Sequence, residues 1–142
     1  EKFIVYLRPY CKDFIKFCLK NFDIGIFSST TYKNVTSIID YIFTKEQKTE
    51  LKFIWCRDRT KLDPDYNIND KIKKYATIKL VQDVLDCPVI NEDRLYTMNN
   101  TVLVDDSKEK TRFNDQKNII IVKKFDEKPL RFQDFFGQWQ RP

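Results

Sequence analysis

Histidine is absent from the 142 residues of this sequence, and its absence excludes several kinds of catalytic site. A serine–histidine–aspartate triad needs the imidazole as general base, and histidine nitrogen is a common ligand of catalytic zinc. Neither site can be formed by this chain alone. Acid–base or metal chemistry would have to rely on carboxylates, hydroxyls and amines.

Glycine and long apolar runs are also scarce. The chain has 2 glycines, too few for a glycine-rich loop that cradles phosphates. No apolar run approaches the roughly 18 residues that are needed to span a bilayer. We therefore expect neither a P-loop nucleotide site nor a membrane span, and no signal or transit peptide is recognisable at the amino end.

The cysteines show no pattern of a metal or redox motif. The chain has 4 of them, Cys11, Cys18, Cys56 and Cys87, and none forms a Cys-x-x-Cys pair. If Cys11 and Cys18 share a helix, they lie about 10 Å apart, too far for a disulfide. Reduced thiols in an intracellular protein are the expected state, with nucleus, cytoplasm and organelle left open.

The remaining composition is typical of one packed domain. Hydrophobic residues make up 42% and aromatic residues 15% of the chain, so residues 1–142 are expected to form a single domain. The net charge is +5, but 26 basic residues are interleaved with 21 acidic ones. This pattern favours a solvated surface, and attraction to RNA or another phosphate-bearing partner is the weaker alternative.

Apolar spacing predicts helices that alternate with short strands. Strands are predicted over residues 23–27, 51–56, 101–104 and 118–124, with an extended segment at 3–7. Helices are predicted over residues 10–20, 35–42, 81–86 and 130–139, and loops over 44–50 and 60–74. The last helix has an aromatic face suited to a core or a docking surface. The alternation predicts an α/β fold, a Rossmann-like, mainly parallel sheet with flanking helices.

Two adjacent carboxylates follow one of these strands. Residues 101–104 form an apolar, β-branched run that predicts a buried strand, and Asp105 and Asp106 come directly after it. Ligands bind beyond the carboxyl ends of strands in open α/β sheets. Two carboxylates there suit a hard cation such as Mg²⁺. The alternative is a solvated turn that leads into Ser107 and Lys108.

Four hydroxyl residues, Ser28 to Thr31, follow the strand at 23–27. Such residues commonly cap the helix that comes next. Alternatively, one of the hydroxyls contacts a ligand at the carboxyl end of the strand.

Three segments occur in an order that resembles a known phosphatase superfamily. They are Arg8-Pro-Tyr with Phe14 to Phe17, Phe22-Asp-Ile-Gly-Ile-Phe-Ser-Ser29, and Val102-Leu-Val-Asp-Asp-Ser107. Together they resemble the haloacid-dehalogenase (HAD) superfamily, more narrowly the RNA polymerase II C-terminal-domain (CTD) phosphatases and NLI-interacting-factor phosphatases. The resemblance covers roughly residues 3–125 and implies a HAD-like fold.

The resemblance also implies a set of site residues. Ser28 matches the hydroxyl that hydrogen-bonds the transferring phosphoryl group, and Lys79 the lysine that neutralises its charge. Asp105 matches the Mg²⁺ ligand and Asp106 its supporting carboxylate. For Lys79 the alternative is a solvated lysine at a helix start, with Lys73 and Lys74 nearby.

The chain departs from the family at its nucleophile. The family uses the first aspartate of an Asp-x-Asp-x-Thr motif on a central strand, upstream of the Arg-Pro helix. The motif is absent from these 142 residues, and Asp63-Pro-Asp65 is interpreted as a surface loop. The resemblance thus implies an N-terminally incomplete domain whose central strand is missing. Another segment, from the same protein or from a partner chain, is expected to fill that slot.

Two functions follow from the resemblance. The first is a Mg²⁺-dependent protein Ser/Thr phosphatase domain of the CTD type, which acts on a phosphoprotein substrate. The alternative is a non-catalytic HAD-like subunit that serves a structural or interaction role in a larger protein or ribonucleoprotein assembly. The upstream sequence would distinguish them, because an Asp-x-Asp-x-Thr motif favours the enzyme.

Overall fold

The computed structural model describes residues 5–66 and 77–125. In these residues the helices are α1 (Cys11–Asn21), α2 (Tyr32–Ile42), α3 (Lys45–Thr49), α4 (Val81–Leu85) and α5 (Lys108–Thr111), with single 3-10 turns at Arg57–Arg59 and Gln116–Asn118. The strands are β1 (Gly25–Phe27), β2 (Phe53–Trp55), β3 (Lys61–Leu62), β4 (Thr77–Ile78), β5 (Leu103–Asp105) and β6 (Ile119–Ile121). The helix predicted at 130–139 lies outside the described residues, as do residues 3 and 4 of the predicted extended segment.

The core forms where α1 and α2 pack on the β1–β2 pair. Its buried residues are Ile15, Val35, Ile39, Phe43 and Cys56. The helical spacing of apolar residues predicted both helices, because residues three and four apart share one face of a helix. Phe14, which the same spacing placed on the apolar face of α1, is 56% exposed. The structure confirms α1 and α2 to within a few residues of their predicted ends.

The close approach expected at Gly25 is present. Gly25 pairs with Phe53 in the parallel β1–β2 ladder. A Cβ atom at Gly25 would overlap the ring of Phe53, so the strand position requires a residue without a side chain.

The described strands form three separate pairs. β1–β2 and β5–β6 are parallel, and β3–β4 is antiparallel. Helices and short parallel strands confirm the α/β class. A continuous Rossmann-like sheet remains a prediction, because β1 and β5 are not paired with each other in the described part of the chain.

Three expectations about local structure are wrong. Residues 44–50 were expected to be a loop but form α3, which begins at a reciprocal capping box between Thr44 and Gln47. The loop predicted at 60–74 contains β3 in its described part, and its residues 67–74 lie outside the described residues. The run at 101–104 is not fully buried, since Val102 is 54% and Val104 43% exposed. Only one face of β5 is covered, so an apolar run did not indicate burial on both faces.

A hydrogen-bonded cluster links the segments that lead into β1 and β5. The Tyr96 hydroxyl donates to Asp23 over 3.0 Å, and Lys52 lies 3.1 Å from the same carboxylate. The bond from Lys52, followed by the bond from Tyr96, lowers the pKa of Asp23. The amino end of the β1–β2 pair is therefore tied to the loop at Tyr96, seven residues before β5. No helix in the described residues has the length and apolar character to cross a membrane.

Candidate active site

A buried ion pair joins β4 to β5. Lys79 directly follows β4, and Asp105 is the last residue of β5. The Lys79 Nζ donates to Asp105 Oδ2 over 2.6 Å, and the two side chains are 9% and 6% exposed. The Ser107 backbone N–H donates to the other oxygen, Oδ1, over 2.8 Å. The charged groups thus satisfy each other where water is excluded, as buried charges require.

The backbone on both sides of Lys79 is fixed by the region around α5. The Lys79 N–H donates to the Lys110 carbonyl over 2.8 Å, and the Asn114 amide donates to the Lys79 carbonyl over 2.8 Å. The Asn114 carbonyl oxygen accepts from the Val81 N–H over 2.7 Å. The segment after β5 therefore positions the lysine that pairs with the last residue of β5.

The end of β1 lies at the same edge. The Lys79 Nζ is 5.9 Å from the ring centroid of Phe27, the last residue of β1. Two residues further along, Ser29 Oγ accepts a hydrogen bond from Lys110 Nζ over 2.8 Å. The carboxyl ends of β1, β4 and β5 therefore converge.

Ser28 was the hydroxyl predicted for this site, but the hydroxyl that contacts a lysine is that of Ser29. The Ser28 Oγ accepts from the Thr30 N–H over 3.2 Å, a local turn contact. Helix α2 begins after Thr31 without a side-chain capping bond, so the interpretation of Ser28–Thr31 as hydroxyl caps is wrong. Four consecutive hydroxyl residues in the sequence do not indicate which of their side chains lies near the lysines.

Asp106 has a different environment from Asp105. It is exposed, and its carboxylate lies 4.0 Å from the Arg8 guanidinium, which also donates to the Lys123 carbonyl. No group of three metal-ligating side chains occurs within residues 5–66 and 77–125. Mg²⁺ is usually bound by one or two carboxylates together with water and substrate phosphate. The donor chemistry of Asp105 and Asp106 is consistent with that requirement.

The family is decided by comparison with known proteins. A sequence profile of NLI interacting factor-like phosphatases matches residues 1–134. The chain belongs to the NLI interacting factor-like phosphatase family.

A curated relative agrees with this membership. The chain is 28% identical over 114 residues to an FCP1 homology domain-containing protein of Schizosaccharomyces pombe. The aligned region covers 80% of this chain but 46% of the relative, so the chain spans less than half of the relative's length. The resemblance of the sequence to NLI interacting factor-like phosphatases is thereby confirmed.

Within this member of the NLI interacting factor-like phosphatases, a second ion cluster was missed by sequence reasoning. Asp63 is 8% exposed, and both its carboxylate oxygens accept hydrogen bonds from the Arg112 guanidinium. Arg112 also donates to Asp65 over 2.7 Å. The bonds to Asp63, then those to Asp65, raise the pKa of Arg112. The interpretation of Asp63-Pro-Asp65 as a surface loop is therefore wrong for Asp63, whose partner is 49 residues away in the sequence.

This cluster predicts an unequal effect for its two carboxylates. We expect Asp63→Asn to lower the melting temperature by several degrees, because the Arg112 guanidinium loses its bidentate carboxylate partner. Asp65→Asn is the matched control and should change it little, since the Asp65 side chain is 75% exposed. Thermal unfolding followed by circular dichroism measures both. Equal shifts in the two variants would contradict a bidentate Asp63–Arg112 anchor.

Proposed function

We propose that this chain is the substrate- and metal-binding part of a Mg²⁺-dependent protein Ser/Thr phosphatase of the CTD type. The nucleophilic aspartate is supplied from outside the 142 residues. The observation that carries the proposal is the buried Lys79–Asp105 pair at the edge where β1 and β5 end. Family membership makes phosphoryl transfer the reaction that this edge is best suited to perform.

The chemistry assigns a role to each described group. Phosphoryl transfer needs an in-line nucleophile and positive charge near the nonbridging oxygens. Lys79 supplies a positive charge, and the hydroxyls of Ser28 and Ser29 can donate to phosphate oxygens. Asp105 and Asp106 would hold Mg²⁺, which supplies further positive charge on the phosphoryl oxygens when bound.

The nucleophile is proposed to arrive on a strand between β1 and β5. The ends of these strands correspond: Ser29 beyond β1 bonds Lys110 beyond β5, and Asp23 before β1 bonds Tyr96 before β5. These bonds favour a common direction for β1 and β5, each of which is paired on one edge only within the described residues.

We propose that a single strand lies between β1 and β5. Neighbouring strands lie about 4.8 Å apart, and the Lys79 Nζ is near both Phe27 and Asp105. A strand there would satisfy backbone groups that cost about 1–3 kcal/mol each when buried and unpaired. Its carboxyl end would lie beside Lys79, where an aspartate nucleophile is required.

The metal assignment is tested by Asp105→Asn in the full-length protein. We expect the Mg²⁺ concentration needed for half-maximal hydrolysis of a phosphoserine peptide to rise. Turnover at saturating Mg²⁺ should fall by a factor that corresponds to several kcal/mol of barrier. Asp106→Asn is the matched control and should have the smaller effect, because its carboxylate is exposed. Activity within a few-fold of wild type in Asp105→Asn would refute the ligand assignment.

The same experiment separates the enzyme from the non-catalytic alternative. A full-length protein that binds Mg²⁺ but turns over no phosphopeptide would favour a structural or interaction subunit. Turnover that depends on Mg²⁺, Asp105 and Lys79 together would favour the phosphatase.

A further inference from the structure

We propose that Lys110 is a second phosphate-binding lysine, which contacts the phosphate monoester of the substrate beside Lys79. This inference rests on the proposed function, since it concerns the same edge of the fold. Lys110 belongs to α5 and does not match any residue of the predicted site. It therefore comes from the structure alone.

The first argument is the balance of charge at the edge. The positive charge of Lys79 is compensated by Asp105, so that pair carries no net charge. Within residues 5–66 and 77–125, Lys110 forms no ion pair, and its ammonium has the neutral Ser29 hydroxyl as partner. A phosphate monoester carries close to two negative charges at neutral pH. Lys110 supplies the uncompensated positive charge that such a group needs.

The second argument is the position of the Lys110 ammonium. The Lys110 backbone carbonyl accepts a hydrogen bond from the Lys79 N–H, which brings the two lysine backbones into contact. Both side chains then approach the end of β1, Lys79 at Phe27 and Lys110 at Ser29. An anion beyond the last residue of β1 would therefore be approached by both ammonium groups.

The third argument is that Lys110 is held in place while it keeps donor capacity. Ser107 caps α5 by accepting from the Lys110 N–H, and Arg112 anchors the end of α5 to Asp63. The Lys110 side chain is half-buried, which limits its motion. An ammonium has three N–H donors, and the bond to Ser29 uses one of them. The other two are available for phosphate oxygens.

The test compares four variants of the full-length protein. Isothermal titration calorimetry with inorganic phosphate gives the affinity, and p-nitrophenyl phosphate hydrolysis gives kcat and KM. Lys110→Met removes the charge, and Lys110→Arg keeps it. Ser29→Ala removes the hydrogen bond but leaves the charge. Lys108→Met is the matched control, because Lys108 is an exposed lysine of the same short helix.

We expect Lys110→Met to weaken phosphate binding at least tenfold, or about 1.4 kcal/mol. Its KM should rise by a similar factor, with a smaller change in kcat. Lys110→Arg should restore most of the affinity, Ser29→Ala should lose less than Lys110→Met, and Lys108→Met should match wild type.

Three results would overturn the assignment of Lys110. These are wild-type affinity in Lys110→Met, equal losses in Lys110→Met and Ser29→Ala, and no phosphate binding by the wild-type protein. Equal losses would show that removing the Lys110 charge weakens binding no more than removing the Ser29 hydroxyl, so the charge would have no role of its own. Loss of phosphate binding in Lys110→Met without turnover in any variant would support Lys110 while refuting the phosphatase proposal. The two failures are therefore distinguishable.

Discussion

The 142-residue chain by itself is expected to hydrolyse no phosphate ester, whatever divalent metal is added. In the proposed function its groups position the substrate and stabilise charge, but the sequence contains no Asp-x-Asp-x-Thr motif. Removing the nucleophile from an enzyme that uses covalent catalysis typically costs roughly 10⁴-fold or more in rate. The full-length protein should differ from the 142-residue chain by at least that factor.

The design compares the 142-residue chain with the same chain plus a peptide that bears an Asp-x-Asp-x-Thr strand. Circular dichroism first checks that the chain is folded, and p-nitrophenyl phosphate hydrolysis follows turnover. A peptide with asparagine in place of the first aspartate is the matched control, because it can pair as a strand but cannot attack phosphorus. If the chain alone hydrolyses the ester, and Ser28→Ala or Asp105→Ala abolishes that turnover, the claim that the chain lacks a nucleophile is refuted.

The second large effect is expected from breaking the buried Lys79–Asp105 pair. Lys79→Met should lower the free energy of unfolding by about 3–5 kcal/mol, because it leaves a buried carboxylate without its cation. Lys61→Met is the matched control. Its ion pair with Asp83 is more exposed, with a Lys61 side chain that is 57% accessible, and its loss should cost about 1 kcal/mol or less. Urea unfolding of the full-length variants measures both.

A double variant shows whether this effect belongs to the pair. Lys79→Met combined with Asp105→Leu replaces both charges by apolar groups and should recover much of the stability lost in Lys79→Met alone. Phosphatase activity should not recover, because stability and charge stabilisation are separate requirements. Additive losses in the double variant would show that the two residues are not coupled.

Sequence reasoning was most successful where order along the chain determines position. The apolar run before Asp105 predicted a strand end there, and Asp105 is the last residue of β5. Lys79 was assigned only through the resemblance, and no strand was predicted before it. The apolar faces of α1 and α2 were predictable because helical periodicity is a local property.

Contacts between distant residues left no such signal. Lys110 bonds Ser29 across 81 positions, and Arg112 bonds Asp63 across 49. One lysine or arginine among 26 basic residues cannot be assigned a partner from spacing alone. Helix α3 was missed because its residues are polar, and its capping box rather than an apolar stripe defines its start.

The location of the core has a consequence for the order of folding. Within the described residues, the cluster around Ile15, Val35, Ile39, Phe43 and Cys56 is formed by the stretch 11–56, together with partly buried neighbours from the same stretch. Such local contacts form quickly, and chains fold from the amino end as they leave the ribosome. The α1–β2 half can therefore pack during synthesis, before β5 and β6 exist. The edge at which β1 and β5 end, which needs residues from both halves, is then completed last.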